Sequence, residues 1–281
     1  SASGSEAGVL VDQKVLSISL VNRAFGLDLP TSIHGLIDDF RSLDKLKDIL
    51  SSRIGSVQDP RVPVGEVKFA PPITAPPKIW CIGLNYREHA EDLKAVLPLE
   101  EPASFMRPRT TIIGHKDSIK LPPGIGTVTA EAEMGIIIGR EAKNVELGDA
   151  RKIIFGITPV LDMTALDILQ KNPRFLTRAK SFDTFFSFGP VVATVDDVKE
   201  FDTIKVSTIK NGKVVRSNIV KNMIFSPEFL VSFHSRVFTF EKCDIVSPGS
   251  PGAVKIEPGD VVKCRIEGVG LPDLENSVVT G

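Results

Sequence analysis

Two glutamates separated by one residue stand at the head of an apolar segment. Glu131 and Glu133 lead into the strongly apolar residues 134–138, which are typical of a buried strand. Alternate residues of a strand point to the same face, so the two carboxylates are expected side by side. Such a pair is unfavourable in an apolar setting unless a cation neutralises it, and divalent ions that prefer oxygen ligands do this best. A solvated strand face is the alternative for an isolated pair of this kind.

A third acid follows the next apolar segment. Asp162 comes directly after residues 157–161, where we expect it either to cap a short helix over 163–170 or to act as a ligand. Together with Glu131 and Glu133 it makes three carboxylates without a nearby His or Cys. This donor set favours magnesium, manganese or calcium over zinc. The sequence therefore predicts a metal site formed by these three residues.

A lysine precedes an aromatic stretch. Lys180 is followed by Phe182, Phe185 and Phe186, and Asp183 stands three positions after it. The ammonium group is expected either in a buried ion pair with Asp183 or at the surface. Beside a metal–carboxylate site, a lysine can hold a ligand carboxylate or polarise a substrate carbonyl.

A histidine and an aspartate lie three positions apart on a predicted helix. Residues 81–92 run from a strand through Gly83 into a polar helix, which places His89 and Asp92 on one face. A carboxylate beside an imidazole fixes its tautomer and raises its basicity, which suits a general base that acts on water. Incidental charges on a helix surface are the alternative, and the spacing alone favours them.

A rigid loop rich in glycine and proline occupies residues 247–252, with the sequence Ser-Pro-Gly-Ser-Pro-Gly. The backbone N–H groups of such a loop can form a nest that binds an anion. A simple turn is an equally good interpretation of the same residues.

The composition excludes several classes of function. The formal net charge of the 281 residues is −1, which provides no electrostatic footprint for nucleic acid or a membrane surface, and no apolar run reaches the length of a membrane span. The three cysteines are far apart and show no CxxC spacing, so neither a disulfide framework nor a structural zinc site is expected. This cysteine pattern predicts that the protein works in a reducing compartment. We expect the cytoplasm, or the mitochondrion if a targeting segment precedes Ser1.

A proline-rich joint over residues 71–77 predicts a small N-terminal domain over 1–70 and a larger domain over 71–281. A plain surface loop is the alternative, and the change of composition on both sides favours a boundary. The first domain is expected to contain a strand over 15–21 and helices over 33–40 and 42–52. The larger domain is strand-rich, and Asn211-Gly212 marks a hairpin. Its strands are expected over 78–82, 134–138, 153–161, 190–194, 204–209, 213–217 and 261–266, and its helices over 87–97, 166–171 and 226–233. The fold class is therefore α+β and β-rich, with a mostly antiparallel core and a small N-terminal α/β domain.

In their order and spacing these segments resemble the fumarylacetoacetate hydrolase superfamily, which includes acylpyruvate hydrolase, oxaloacetate decarboxylase and homoprotocatechuate-pathway isomerase and decarboxylase members. The resemblance spans about residues 70–270. It is carried by residues 70–73, 82–90, 131–139, 162–165, 180–185, 188–190, 211–212 and 249–252.

The resemblance implies a fold, a dimer and a set of roles. The fold is a mixed β-sandwich roll, commonly in a homodimer, and the ligand positions normally hold Mg²⁺ or Mn²⁺, with Ca²⁺ as a substitute. His89 matches the catalytic histidine, Asp92 its acidic partner and Lys180 the lysine near the metal. Substrate-contacting positions fall on Tyr86, Arg107, Arg216, Gly249 and Ser250.

The chain departs from the family pattern at five positions. Leu166 replaces an arginine, Arg107 a lysine, Arg216 a glutamine and Ser250 a threonine, while Asp92 is one methylene shorter than the usual glutamate. The metal ligands are therefore expected to be intact and the layer that contacts the substrate to be altered.

The family's substrates are β-diketo and α-keto acids, which react through an enolate that the metal stabilises. The expected function is accordingly metal-dependent C–C bond hydrolysis or decarboxylation of such a small molecule, with His89 as the acid/base. An enol–keto isomerase or specialised biosynthetic lyase of the same family is one alternative. A catalytically silent binding protein is the other.

Overall fold

The computed structural model describes residues 4–53, 61–88 and 96–281. Three β-sheets and a set of short helices make up these residues. The strands are β1 Gly8–Val11, β2 Lys14–Ser17, β3 Val62–Pro63, β4 Ile79–Gly83, β5 Ala103–Met106, β6 Ile112–Ile113, β7 Ser118–Leu121, β8 Val128–Ile138, β9 Ile154–Ala165, β10 Phe186–Phe188, β11 Ala193–Thr194, β12 Lys205–Lys210, β13 Lys213–Ile219, β14 Ile245–Ser247, β15 Val254–Ile256, β16 Val261–Glu267 and β17 Leu274–Thr280. The α-helices are α1 Ile18–Phe25, α2 Ile33–Asp38, α3 Phe40–Arg53, α4 Ala150–Ile153, α5 Leu166–Lys171, α6 Leu176–Lys180 and α7 Pro227–Val237.

The N-terminal segment has a hydrophobic cluster to which β1, β2 and α1–α3 contribute side chains, and β3 pairs with β2 at its edge. The predicted strand over 15–21 is wrong, because the strand ends at Ser17 and α1 begins at Ile18. The Ser17 hydroxyl caps this helix by accepting a hydrogen bond from the backbone N–H of Leu20. Ile18 and Val21, three positions apart, then bury one helical face. The helices predicted over 33–40 and 42–52 correspond to α2 and α3.

The long antiparallel pair β8 and β9 lies in the middle of the nine-stranded sheet and is buried on both faces. One face of β8 presents apolar side chains to the main hydrophobic core. The opposite face carries Glu131 and Glu133 and continues to Ile137, which belongs to a second apolar cluster. The sheet therefore separates a packed core from a layer in which acidic and apolar side chains share one face.

The pair of strands β8 and β9 is called the β8–β9 ribbon below. The five-stranded sheet, in the order β13-β12-β16-β17-β7, packs against this ribbon. The backbone N–H of Ala132 in β8 donates to the hydroxyl of Thr208 in β12, which links the two sheets. The predicted hairpin is present between β12 and β13, with Asn211 and Gly212 at φ 49° and 79°. Antiparallel pairs dominate the described sheets, which confirms the expected β-rich α+β class.

One strand prediction in this region needs correction. The strand expected over 190–194 is reduced to β11, Ala193–Thr194. The extended pairing with β9 is instead made by β10, Phe186–Phe188, which precedes the prolyl residue. Proline has no N–H to donate to a ladder, so the pairing is interrupted at Pro190.

A buried asparagine connects the nine-stranded and five-stranded sheets. Asn276 in β17 donates from Nδ2 to the carbonyl oxygens of Gly114 (2.7 Å) and Asp117 (2.8 Å). Its Oδ1 accepts a hydrogen bond from the Ser187 hydroxyl in β10 at 2.8 Å. One side chain thus satisfies two backbone acceptors and one hydroxyl in the interior.

We expect Asn276→Ala to lower the free energy of unfolding by about 3 kcal/mol, because it leaves these buried groups unpaired. Asn222→Ala is the control, since Asn222 is exposed and its side chain donates to the side chain of Asn218. Denaturant unfolding measures both. An equal, small effect of the two substitutions would show that the network does not stabilise the sheet contact.

Candidate metal centre

Three carboxylates converge between β8 and β9. Glu131, Glu133 and Asp162 each offer one oxygen, and these oxygens lie within 4.8 Å of one another. The side chains meet because Glu131 pairs directly with Asp162 across the two strands, while Glu133 lies two residues along the same face. The three residues are 7%, 2% and 1% exposed. A solvated strand face is therefore excluded for the two glutamates.

Asp162 lies inside β9 and not at its end, so the helix cap considered for this residue is wrong. The helix that follows is α5, which begins at Leu166. Asp162 Oδ1 accepts hydrogen bonds from Lys180 Nζ at 2.9 Å and from the Arg107 guanidinium. Asp162 Oδ2 is buried and accepts no hydrogen bond from any residue that the structure describes.

Glu133 is held by the loop over residues 247–252. Its Oε2 accepts hydrogen bonds from the Ser247 hydroxyl at 2.6 Å and from the backbone N–H of Gly249 at 2.8 Å. Burial, together with the nearby Asp162 carboxylate, raises the pKa of Glu133 to about 8. The loop thus binds a carboxyl group through a backbone N–H, and this group belongs to a side chain of the protein itself.

Lys180 ends α6 and points at the cluster. Its ammonium group contacts Asp162 Oδ1 at 2.9 Å and Glu131 Oε2 at 3.2 Å, so the ion pair expected with Asp183 is wrong. Burial alone would lower the pKa of Lys180, but the Asp162 and Glu131 carboxylates raise it above its ordinary value. The lysine therefore stays charged and compensates part of the negative charge.

Arg107 supplies a second buried cation. The residue is 3% exposed, and its guanidinium donates to Asp162 Oδ1 and to three carbonyl oxygens. These belong to Met163 (2.9 Å), Phe185 (3.1 Å) and Lys180. The Arg107 side chain was predicted to contact substrate. The structure places it behind Asp162, and a direct contact with substrate stays a prediction.

The donor set fits a hard divalent cation. Three buried acidic groups face two buried cations, and Asp162 Oδ2 still has no partner in the described residues. Burial raises the pKa of Cys243 and Cys264 to about 12 and also raises that of Cys81, so these thiols stay protonated. Carboxylate oxygens without thiolates suit Mg²⁺, Mn²⁺ or Ca²⁺.

Sequence reasoning missed a residue that anchors the site. Asn85 is fully buried and donates from Nδ2 to the carbonyl oxygens of Phe225 (3.0 Å) and Pro248 (2.8 Å). Its Oδ1 accepts from the backbone N–H of Phe225 at 2.9 Å. Asn85 therefore ties the end of β4 to the loop that holds Glu133. An asparagine two positions after the glycine that ends β4 was the only signal of this role.

The remaining predicted substrate contacts surround this loop. Tyr86 is fully buried, its hydroxyl has no hydrogen-bond partner among the described residues, and burial followed by the Glu133 charge raises its pKa. Gly249 has φ +108° and packs so closely on Asn85 that a Cβ would lie 2.8 Å from the asparagine's Cβ. The Ser250 hydroxyl is paired with the backbone of Gly252, against which the Arg216 side chain packs.

His89 and Asp92 lie outside the described residues. The structure describes Arg87 and Glu88, which directly precede that segment, and Asn218 donates to Glu88 Oε2 at 3.1 Å. The pairing of His89 with Asp92 and its role as acid/base stay predictions. None of the helices in the described ranges is long and apolar enough to cross a membrane.

Residues 78–279 match the family described as Fumarylacetoacetate (FAA) hydrolase C-terminal. A curated relative, the mitochondrial oxaloacetate tautomerase Fahd2a of Rattus norvegicus, is 32% identical over 230 residues, which covers 79% of this chain and 73% of the relative.

Two solved structures share the fold. The 5-carboxymethyl-2-hydroxymuconate delta-isomerase from Mycobacterium smegmatis has a TM-score of 0.70 at 32% identity, covering 80% of this chain and 86% of the isomerase. Maleylpyruvate hydrolase from Sphingobium sp. SYK-6, solved in complex with manganese (II) ion and pyruvate, has a TM-score of 0.80 at 24% identity, covering 99% of this chain and 97% of the hydrolase. At that identity the hydrolase supports the fold alone.

We expect Glu133→Gln to fold normally and to lose metal binding. The amide oxygen can still accept from Ser247 and Gly249, while the NH₂ group replaces the other carboxylate oxygen and cannot bind a cation. Wild-type protein should gain about 4 kcal/mol of stability from Mn²⁺ at a thousand times its dissociation constant, and the variant none. Thermal unfolding with and without Mn²⁺ measures this.

The control is Glu146→Gln, the same chemical change at an exposed residue. It should retain the full stabilisation by Mn²⁺. Equal stabilisation of the wild type and Glu133→Gln would mean that the metal binds elsewhere.

Proposed function

The chain belongs to the fumarylacetoacetate hydrolase family, and from this membership we propose that it is a divalent-metal-dependent enzyme that acts on a 2-oxo acid or β-dicarbonyl compound through its enolate. One observation carries the proposal. Three buried carboxylates converge within 4.8 Å, and the Asp162 Oδ2 atom lacks a partner in the described structure. Buried charge of this kind is costly to maintain unless a cation completes the site.

Glu131, Glu133 and Asp162 would hold the ion, with Mg²⁺ and Mn²⁺ as the first candidates. A bound divalent cation supplies Lewis-acid stabilisation of negative charge on the oxygen atoms of a substrate. With Lys180 and Arg107 also present, the loaded site carries a net positive formal charge. This charge favours an anionic substrate such as a keto acid.

Lys180 would support the negative charge that develops as the enolate forms. Its ammonium group is fixed by two carboxylates, 2.9 and 3.2 Å away, so it needs no reorganisation during the reaction. The hydroxyl of Tyr86, which has no hydrogen-bond partner in the described ranges, is a candidate hydrogen-bond donor to the substrate. Arg216 packs against Gly252 in the loop over residues 247–252. Its guanidinium group would bind an anionic group of the substrate there.

Enol–keto isomerisation is the reaction that we propose first. The sequence alone gave priority to C–C bond hydrolysis or decarboxylation, but two of the relatives above 30% identity are named as a tautomerase and an isomerase. Isomerisation needs only a proton moved between carbon and oxygen, and His89 would move it. A homodimer stays a prediction from the family resemblance, and a cytoplasmic or mitochondrial location stays a prediction from the cysteine pattern.

The test is the conversion of the enol form of oxaloacetate to its keto form. The loss of the enol's ultraviolet absorbance measures this conversion. We expect the Mn²⁺- or Mg²⁺-loaded protein to accelerate it at least about a hundredfold over chelator-treated protein, with Glu133→Gln inactive and Glu146→Gln normal. A coupled assay for pyruvate separates the alternatives.

If the protein forms pyruvate from oxaloacetate or from acylpyruvates, its reaction is C–C bond cleavage and not isomerisation. Metal binding without conversion of any of these keto acids would favour a silent binding protein. Full activity in the presence of chelator would overturn the proposal.

We expect His89→Ala to bind Mn²⁺ as tightly as the wild type but to lose about 10²–10⁴ in kcat, because proton transfer is removed while the carboxylates remain. His34→Ala is the control, since His34 lies on α2 with a side chain that is 59% exposed. Calorimetry and turnover are measured on the same samples. Normal turnover of His89→Ala would assign the proton transfer to another residue.

A further inference from the structure

Each oxygen of Asp162 has a different environment. A carboxylate oxygen accepts about two hydrogen bonds, one for each lone pair. Asp162 Oδ1 receives two donors, Lys180 Nζ at 2.9 Å and the Arg107 guanidinium, whereas Oδ2 receives none from the described residues. Only Oδ2 therefore has lone pairs available for a cation.

Arg107 cannot easily give up this contact. Its guanidinium donates to three backbone carbonyl oxygens as well as to Asp162, and these acceptors lie on β9, at the end of α6 and just before β10. The rings of Phe105 and Phe186 lie 5.8 and 5.6 Å from the guanidinium carbon. Five donors in a planar fork allow such a set of contacts, and the single ammonium group of a lysine does not.

Glu133 repeats the same arrangement on the other strand. Its Oε2 receives the Ser247 hydroxyl and the Gly249 N–H, and its Oε1 receives no donor from the described part of the chain. Two of the three candidate ligands thus present one oxygen while the other is saturated by the protein.

We infer that Arg107 is a positioning residue that makes this centre select small octahedral cations, Mg²⁺ and Mn²⁺, against Ca²⁺. The inference rests on the metal binding proposed above. Ca²⁺ takes six to eight oxygen ligands and readily uses carboxylates in bidentate fashion, whereas Mg²⁺ demands near-ideal octahedral geometry with shorter bonds. Saturation of Oδ1 by Arg107 and Lys180 denies the bidentate mode to Asp162. Saturation of Oε2 denies it to Glu133.

Titration calorimetry of the wild-type protein with MgCl₂, MnCl₂ and CaCl₂ is the first experiment. We expect Mg²⁺ and Mn²⁺ each to bind at least about tenfold more tightly than Ca²⁺. Failure to bind any of the three would overturn the proposed metal function itself. Ca²⁺ binding as tightly as Mg²⁺ would overturn only the selectivity.

Arg107→Lys is the second experiment, with Arg109→Lys at an exposed neighbouring position as the matched control. The variant keeps the charge but cannot satisfy all four acceptors, so Oδ1 becomes available to a cation. We expect the preference for Mg²⁺ over Ca²⁺ to fall about tenfold in Arg107→Lys and to be unchanged in Arg109→Lys. A uniform weakening of all three cations would indicate a merely structural role and overturn the inference.

Ser247→Ala provides an independent variant on the opposite strand. It removes one of the two donors to Glu133 Oε2, so it should shift the preference towards Ca²⁺ in the same direction as Arg107→Lys. Crystals of Arg107→Lys grown with Ca²⁺ should show Asp162 with both oxygens on the ion. An unchanged ratio in Ser247→Ala together with one-oxygen binding in those crystals would overturn the inference.

Discussion

The structure depends on the balance of charge among three acidic groups that water hardly reaches. Moving an ionised group into the interior costs several kcal/mol, and the cost is offset only by close opposite charges and hydrogen bonds. Lys180 and Arg107 provide two positive charges, and both approach the same oxygen of Asp162. The opposite oxygen of Asp162 is buried and has no hydrogen-bond partner among the described residues. The hydrogen bonds and ion pairs that orient these three acidic groups therefore determine which of their oxygen atoms remain available to a ligand.

The pairing of β8 with β9 determines which side chains meet. Glu131 stands opposite Asp162, a like-charged pair that would destabilise an ordinary sheet. A shift of one residue would turn the acids of one strand into the apolar core on the other face. The long ladder and the apolar side chains behind it oppose such a shift, because the same slip would move the core residues of β8 out of the main hydrophobic core and onto the face of the acids. The packing that stabilises the ribbon thereby also fixes an arrangement that its charges alone would disfavour.

The parts of this arrangement that follow local rules could be predicted from the sequence. Glu131 and Glu133 were expected on one face because strand alternation is a local property, and the Asn211-Gly212 hairpin was expected because its backbone needs positive φ. The partner of Lys180 could not be found in this way. Asp183 is near in sequence, but the actual partners are 18 and 49 residues away and reach the lysine only through the pairing of β8 with β9. The strand predicted over 15–21 is wrong for a different reason. A short alternation of apolar and polar residues is also compatible with the start of a helix, and the Ser17 hydroxyl caps that helix.

The hydrogen bonds that position the carboxylates are also tertiary contacts of the fold. Arg107 joins the end of β5 to β9 and α6, and the loop after β14 reaches β8 through Glu133. Asn85 fixes that loop to the end of β4 by a bond of 2.8 Å to the carbonyl oxygen of Pro248. Because these contacts form when the chain folds, the ligand oxygens are oriented before a cation arrives, and binding requires little further ordering. Orientation by buried donors also limits how each carboxylate can turn, and this constraint is the geometric basis of the cation selectivity inferred for Arg107.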